Sequence, residues 1–382
     1  MHRHASTAVT RLAGAGLTCH CSKSQHCAEA LSLAVLTILL MLGRSYFLSR
    51  SIRTPFTART IMAASKAEVE LVFGGGSVGS GTVFEDRSIL RDALDVLKKE
   101  GVKRLDSAHL YGESESLFGK ANAGKDFIID SKIKGGFEPG SAKKDGVLKG
   151  IELSLDRLNV EKLGIFYIHA PDYETPLEET LAAINEVYTA GKFDRFGLSN
   201  YKAEDVQKVF DLCVEKGYPT PTAYQGNYSA VARKLEDTLL PTLRKLAISF
   251  YVYSPMAGGF LSKTKADIEK GAGRFNESSP GGSMYTKMYK KPAFLDALAD
   301  WESIADAAGC GKAELAYRWV AFNSQLSDEH GDGVLIGASS VEQLQDTLNN
   351  LKNGPLAPEI ASRIDNMWTK LAAEAPTDNF HL

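Results

Sequence analysis

The sequence predicts a parallel (β/α)8 barrel, the TIM-barrel class of α/β fold. From residue 69 onward, short apolar runs alternate with amphipathic stretches about eight times, the rhythm that builds a parallel sheet flanked by helices. Runs such as Leu163-Gly164-Ile165-Phe166-Tyr167-Ile168 are apolar throughout, as strands covered on both faces must be. The chain has 382 residues, and barrels of roughly 250 residues form one domain, whereas an open doubly wound sheet has about six strands.

In chain order, the strands are expected at 69–73, 104–108, 127–132, 163–169, 193–200, 222–226, 249–253 and 334–337. Between the fourth and fifth, Leu177, Leu181, Ile184 and Tyr188 recur at helical spacing, with Thr175 as cap, Pro176 at the first helical position and Glu178 closing a capping box. In the next helix Val206, Val209, Phe210 and Cys213 make one face. Residues 258–292, with Gly271, Gly273, Pro280, Gly281 and Gly282, read as a long helix-poor loop of the kind that binds ligands or acts as a lid. After the last barrel unit, Ile360, Ile364, Trp368 and Leu371 predict an extra C-terminal helix over 358–373, and the tail 376–382 can reach back over a barrel mouth.

The formal net charge of -3, without a basic domain or stripe, excludes nucleic acid as an expected partner. Five cysteines are too few for a disulfide scaffold, and Cys213 and Cys310 read as small core hydrophobes of a reduced protein. Cys19-x-Cys21 with His20 and His26 matches no standard zinc spacing, so no metal is expected. Residues 1–62 carry Arg3, Arg11, Lys23, Arg44, Arg50, Arg53 and Arg59 against the single acid Glu29, around an apolar run at 30–42. That run is short of the ~20 residues of a membrane span. It reads as a signal or anchor, an organelle-targeting segment, or upstream sequence absent from the working protein. Met62 stands just before the first strand, so 1–62 are set aside and 63–382 taken as the barrel. The cytoplasm is the expected compartment, with an organelle or a membrane as the alternative.

Catalytic groups of such barrels sit at strand C-terminal ends. Asp106, Tyr111, Lys132 and His169 all fall there, on units two, two, three and four. Those types complement one another. A phenol with pKa near 10 is a poor acid, an adjacent ammonium lowers that value, and a carboxylate holds the ammonium in place. Tyr111 is then suited to protonate a carbonyl oxygen as hydride arrives at carbon, with His169 orienting that oxygen. Gly74-x-Gly76-x-x-Gly79 outlines a dinucleotide fingerprint, but Ser80-Gly81-Thr82-Val83 delay the helix that should follow, so it reads as a turn at the barrel mouth. Tyr188-x-x-x-Lys192 mimics another dehydrogenase pair; Gly191 makes Lys192 a helix-end charge instead. Later on the rim come Ser199, Asn200 and Gln225, then Tyr253-Ser254-Pro255-Met256-Ala257-Gly258-Gly259. Amides suit a nicotinamide carboxamide and a tyrosine face its ring, although ordinary turn chemistry explains them as well. Gly337-Ala338-Ser339-Ser340-Val341-Glu342-Gln343 opens a helix whose free amides suit a phosphate, or whose Ser and Gln are simply caps.

These residues together resemble the aldo-keto reductases, from about Val69 to the C-terminus. The carriers are Leu-Asp-Ser-Ala-His-Leu-Tyr-Gly at 105, Asp-Ser-Lys at 130, Phe-Tyr-Ile-His-Ala-Pro-Asp at 166, Gly-Leu-Ser-Asn-Tyr at 197, Tyr-Gln-Gly-Asn-Tyr at 224, Tyr-Ser-Pro-Met-Ala-Gly-Gly at 253 and Gly-Ala-Ser-Ser-Val-Glu-Gln-Leu at 337. Pro-Leu-Glu-Glu-Thr-Leu at 176 and His-Gly-Asp at 330 make the chain look most like the aflatoxin-aldehyde and succinic-semialdehyde reductase branch. The resemblance implies an NADPH-dependent reductase of small aldehydes, with Asp106, Tyr111, Lys132 and His169 as the catalytic four. It implies cofactor contacts from Ser199, Asn200, Gln225 and the 254–263 loop with Lys263. At the adenosine-phosphate end it implies Gly337, Ser339, Ser340 and Gln343, with Arg274 on the loop; Tyr285 and His169 would meet substrate. The branch usually carries an arginine where Met288 stands and often ends in an arginine, where this chain ends Phe380-His381-Leu382; both absences favour neutral aldehydes or dicarbonyls over carboxylated ones. Thr347 replaces the family's usual asparagine and leaves NADP against NAD preference open. A homodimer is one expected assembly. The same resemblance admits a regulatory subunit like those of potassium channels.

Overall fold

The computed structural model describes residues 69–279 and 281–382; the readings of residues 1–62 and of Pro280 lie outside the described residues. Eight strands, β1 (Glu70–Gly74), β2 (Arg104–Asp106), β3 (Ile128–Ile133), β4 (Leu163–Ile168), β5 (Phe193–Ser199), β6 (Pro221–Asn227), β7 (Ser249–Tyr253) and β8 (Gly333–Ile336), pair in chain order into a closed barrel. Every pairing is parallel, including that of β8 with β1. The register sets Asp106 level with Asp130 and Lys132 level with Tyr167, so two chemistry-bearing pairs face one interior. β2 is shorter than expected because Ser107 and Ala108 leave the ladder, although the Ser107 amide still donates to the Asp130 carbonyl.

Most apolar burial lies between barrel and helices, and a small separate cluster of Val72, Ile165, Tyr167, Ala223, Tyr251 and Leu335 fills the barrel. Helix α1 (Arg87–Lys99) shows why these segments fold as they do. Asp86 caps it by accepting from the amides of Ser88 and Ile89, Lys98 and Lys99 meet the negative end of its dipole, and Leu90, Ala93, Leu94 and Leu97 form the buried stripe. Each of those leucines contributes roughly 1.5–3 kcal/mol by leaving water. Helices α2 (Ser114–Lys120), α3 (Lys144–Leu158), α4 (Leu177–Thr189) and α5 (Ala203–Lys216) continue the ring, and later α6 (Val341–Leu351) and the extra α7 (Pro358–Leu371) complete it.

Several local expectations are corrected. Helix α4 begins one residue later, at Leu177, with Pro176 at the cap position; the Thr175 hydroxyl donates to Asp172 Oδ2 at 2.7 Å instead of capping. Its buried stripe runs through Leu181, Ile184 and Val187, while Tyr188 is exposed. In α7 Met367 is buried and Trp368 lies at the margin, beneath the Arg233 guanidinium. Lys192 does stand at the helix end: its amide donates to the Val187 carbonyl at 3.1 Å just past Gly191, and its ammonium pairs with Glu152 at 3.0 Å. The 258–292 stretch is not helix-poor, since it folds short helices at Lys265–Glu269 and Gly282–Tyr289. Cys213 is buried as expected and Cys310 only partly. Among the described residues no helix is long and apolar enough to cross a membrane.

Asp332, in the His-Gly-Asp turn, ties the barrel closed. Buried to 1 % exposure, it receives both Arg244 nitrogens at 2.8 and 2.5 Å and the amides of Phe250 and Ser327 at 2.8 and 2.9 Å. Asp332→Ala strands the half-buried Arg244 and two amides, and should cost about 3–5 kcal/mol, read as a lowered urea midpoint.

Candidate active site

Asp106 ends β2, Lys132 lies near the end of β3, His169 follows β4, and Tyr111 sits on the turn after β2. The fold brings all four together. Lys132 Nζ donates to both Asp106 oxygens, at 2.6 and 2.7 Å, and to the Ser107 carbonyl at 2.8 Å. The same nitrogen lies 4.9 Å from the centre of the Tyr111 ring. The His169 ring meets the Tyr111 ring edge-on at 5.7 Å. Lys132 is fully buried, Asp106 and His169 nearly so, and Tyr111 half-exposed towards the mouth.

This geometry changes one electrostatic expectation. Lys132 does not draw the Tyr111 phenol down: its charge is taken up by Asp106, and burial, followed by the Asp106 charge and Tyr285, pushes the phenol well above its usual value. Tyr111 is therefore held as a neutral proton donor. Burial pushes the Lys132 ammonium down while Asp106 opposes it. Burial, then the Lys132 charge, holds His169 well below the usual histidine value. A neutral imidazole carries one donor and one acceptor, and His169 Nδ1 is buried with no partner among the described residues.

The expected cofactor residues line the same rim from β5 to β8. Gln225 Nε2 donates at 2.8 Å to Asp106 Oδ1, an oxygen the Lys132 ammonium also holds, and so helps fix the carboxylate. Asn200 is a tie within the rim: it donates to the His169 carbonyl at 2.9 Å and to Ser199 Oγ at 3.2 Å, and accepts from the Tyr253 hydroxyl at 2.7 Å. After Tyr253 the chain winds through Pro255 and Met256 with Ser254, Ala257, Gly258 and Gly259 all at positive φ, and it packs on Tyr285. Lys263 and Arg274 enter this loop; neither has a salt bridge among the described residues, and Arg274 donates to the Tyr285 hydroxyl at 3.1 Å. The Arg274 charge acts on Tyr111 on one side and on Tyr317, bonded to Gly337, on the other. Two cations lacking an acid, above a rim of buried amides, fit an anionic dinucleotide.

At the β8 end, Ser340 caps α6 by accepting from the Gln343 amide at 3.2 Å, while Gln343 Oε1 accepts from the Ser339 amide and hydroxyl at 2.6 and 2.8 Å. The capping explanation of these residues is thus realised. Thr347 is buried and its hydroxyl donates back to the Gln343 carbonyl at 2.9 Å.

Of two vestibule residues, sequence reasoning missed Phe137, whereas Phe380 lies on the tail expected to reach back over a barrel mouth. The Phe137 ring stands edge-on to His169, and Phe380 of the tail edge-on to Phe137, both at 5.2 Å. A Cβ at Gly136 would stand 2.1 Å from the Pro171 carbonyl and 2.7 Å from the Phe380 ring, so glycine alone lets the tail lie here. Within the tail Asp378 folds a turn, accepting from the amides of Phe380 and His381 at 2.8 and 2.6 Å and pairing with His381 Nδ1 at 2.9 Å. Met288 is buried. The phenylalanine after Gly135-Gly136 at a strand end was the available signal for Phe137; nothing local marked Phe380.

Comparison with known proteins agrees with this geometry. Residues 70–369 match the model of the Aldo/keto reductase family. Oxidoreductase sirO of Leptosphaeria maculans is 36% identical over 80% of this chain and 95% of its own length. Aflatoxin B1 aldehyde reductase member 2 of Rattus norvegicus is 33% identical over 84% of this chain and 93% of its own, and the Homo sapiens protein of the same name is 36% identical over 74% and 83%. The chain belongs to the aldo/keto reductase family, oxidoreductases of the carbonyl group.

Proposed function

We propose that this protein reduces neutral aldehydes, dicarbonyls included, to alcohols with NADPH as the hydride source, and that residues 63–382 suffice for it. The observation that carries the reading is the Lys132 ammonium clamped by both Asp106 oxygens beside the Tyr111 ring. When bound, the reduced nicotinamide supplies hydride to the carbonyl carbon. Tyr111 gives its phenolic proton to the carbonyl oxygen, and His169 hydrogen-bonds that oxygen and so orients the carbonyl. Lys132 and Asp106 fix the polarity around the phenol, and Gln225 fixes Asp106. Lys263 and Arg274, without salt bridges among the described residues, suit the pyrophosphate of a nicotinamide dinucleotide. The relatives named as aldehyde reductases support the aldehyde as substrate. Free Cys213 and Cys310 support a reducing compartment such as the cytoplasm.

Neutral substrates are favoured by the walls. Phe137 and Phe380 are apolar and His381 is already paired with Asp378, so this side of the vestibule suits an uncharged substrate. The test is NADPH oxidation with matched neutral and carboxylated aldehydes and with a dicarbonyl. Neutral compounds should show at least about tenfold higher kcat/KM, the scale of one unmatched charge or hydrogen bond. Preference for the carboxylated series, or for NADH, would contradict the proposal.

A further inference from the structure

Beneath the Lys132–Asp106 pair the barrel holds a second tier of charge that the reaction as described does not use. Arg104 stands two residues before Asp106 on β2 and Asp130 two before Lys132 on β3, so strand alternation turns all four inward. Arg104 Nη1 donates to Asp130 Oδ1 at 2.7 Å and its Nε to Glu70 Oε1 at 3.1 Å. The Tyr251 hydroxyl donates to the other Glu70 oxygen at 2.9 Å, and Arg195 donates to Tyr251 at 3.1 Å. Asp130 is 2 % exposed and also accepts the Ile165 amide at 2.7 Å. The β3–β4 ladder starts only at Ser131 and Phe166, so this carboxylate takes an amide that would otherwise seek a strand carbonyl. Gly164 makes room: a Cβ there would stand 2.7 Å from both Arg104 Nη1 and Asp130 Oδ1. An ion pair buried this deeply adds little stability over an apolar substitute, which points to a use in the chemistry above it.

We propose that Asp130 is a positioning residue for the reaction: braced by Arg104 and the Ile165 amide, its carboxylate lies one tier below Lys132 and, with Asp106, keeps the ammonium charged and in place beside Tyr111. The inference rests on the roles proposed above for Tyr111 and Lys132. The fields agree with it. Burial drives the Lys132 ammonium down, and Asp106 first, then Asp130 and Glu115, oppose that. Asp130 itself is pushed up to about 7 by burial, with Arg104 opposing and Asp106 adding to the rise. The other titratable or charged groups facing this pair of tiers are Tyr111, Tyr167 and His169 above, and Glu70, Tyr251 and Arg195 below. Removing the Asp130 charge leaves the Lys132 depression less opposed, so the ammonium loses its proton at lower pH.

The test is the pH profile of kcat/KM for NADPH-driven reduction of a neutral aldehyde. In Asp130→Asn the amide oxygen can still accept from Ile165, and the alkaline midpoint should fall by about one pH unit, the size of one neighbouring charge, while NADPH affinity by fluorescence is unchanged. Asp130→Glu keeps the charge and should keep the midpoint. If Asp130→Asn does not fold, Arg104→Gln/Asp130→Asn leaves no unpaired charge and should shift the midpoint in the same direction by less, because Arg104 lies a tier further from Lys132. A folded Asp130→Asn, or double variant in its place, with the parental midpoint overturns the inference. Tyr111→Phe measured alongside separates the causes: full activity there sinks the proposed mechanism, whereas an inactive Tyr111→Phe with a parental Asp130→Asn profile sinks this inference alone.

Discussion

Tyr111→Phe is expected to lower kcat for aldehyde reduction by about 10²–10⁴-fold, the usual worth of a positioned general acid, with NADPH binding unaltered. The substitution removes one oxygen and leaves the ring, so the edge contact with His169 and the place of the ring over the Lys132 ammonium remain. What is lost is the phenol beside the Lys132 ammonium that is not wholly buried; the other ring near that ammonium, Tyr167, is. Because burial and the Asp106 charge hold Tyr111 well above the usual phenol value, it keeps its proton as pH rises through neutrality, and its own ionisation should leave the reduction rate level there. Single-turnover absorbance decay at 340 nm, with binding followed separately by quenching, measures both quantities; parental turnover would remove Tyr111 from the role of donor.

Lys132→Met should lose both stability and turnover. The variant leaves Asp106, 1 % exposed, with Gln225 as a neutral partner and no countercharge in contact. Breaking a buried pair from one side costs about 3–5 kcal/mol, to be read from the urea midpoint. Adding Asp106→Leu removes the stranded charge and should recover part of the loss, less the roughly 1–3 kcal/mol of leaving the Gln225 amide without its acceptor. The double variant should stay inactive. A stable, active Lys132→Met protein would show that the pair is decoration.

The barrel was legible because its strands are apolar on both faces, and because most rim residues stand at or just after strand ends. Lys132 and His169 could be placed from strand ends alone. The rotation of the α4 stripe was not legible, since Tyr188 packs its ring on Phe193 while remaining 42 % exposed and so satisfies either pattern. Nor was the true state of Tyr111: from sequence an ammonium nearby lowers a phenol, but only coordinates show that both Asp106 oxygens already engage that ammonium. Arg104 and Asp130 looked like ordinary strand-end charges; their burial together depends on Gly164, three elements of contact that no local window contains. That the tail reaches back was foreseeable from its place after the last helix, but that Phe380 is the side chain meeting Phe137 lies beyond the range of any periodicity.

The seam between the first and last strands has a cost during synthesis. Glu70 pairs with Gly333 and Phe73 with Ile336, so on a ribosome adding about 5–20 residues per second the leading strand waits on the order of tens of seconds for its second neighbour. Throughout that interval a β-edge is open, and such edges recruit strands from other chains. Nascent protein is thus most in need of a chaperone until the closing strand, Gly333–Ile336, emerges near the end of the chain, and truncations ahead of it should accumulate as aggregates rather than as smaller folded pieces.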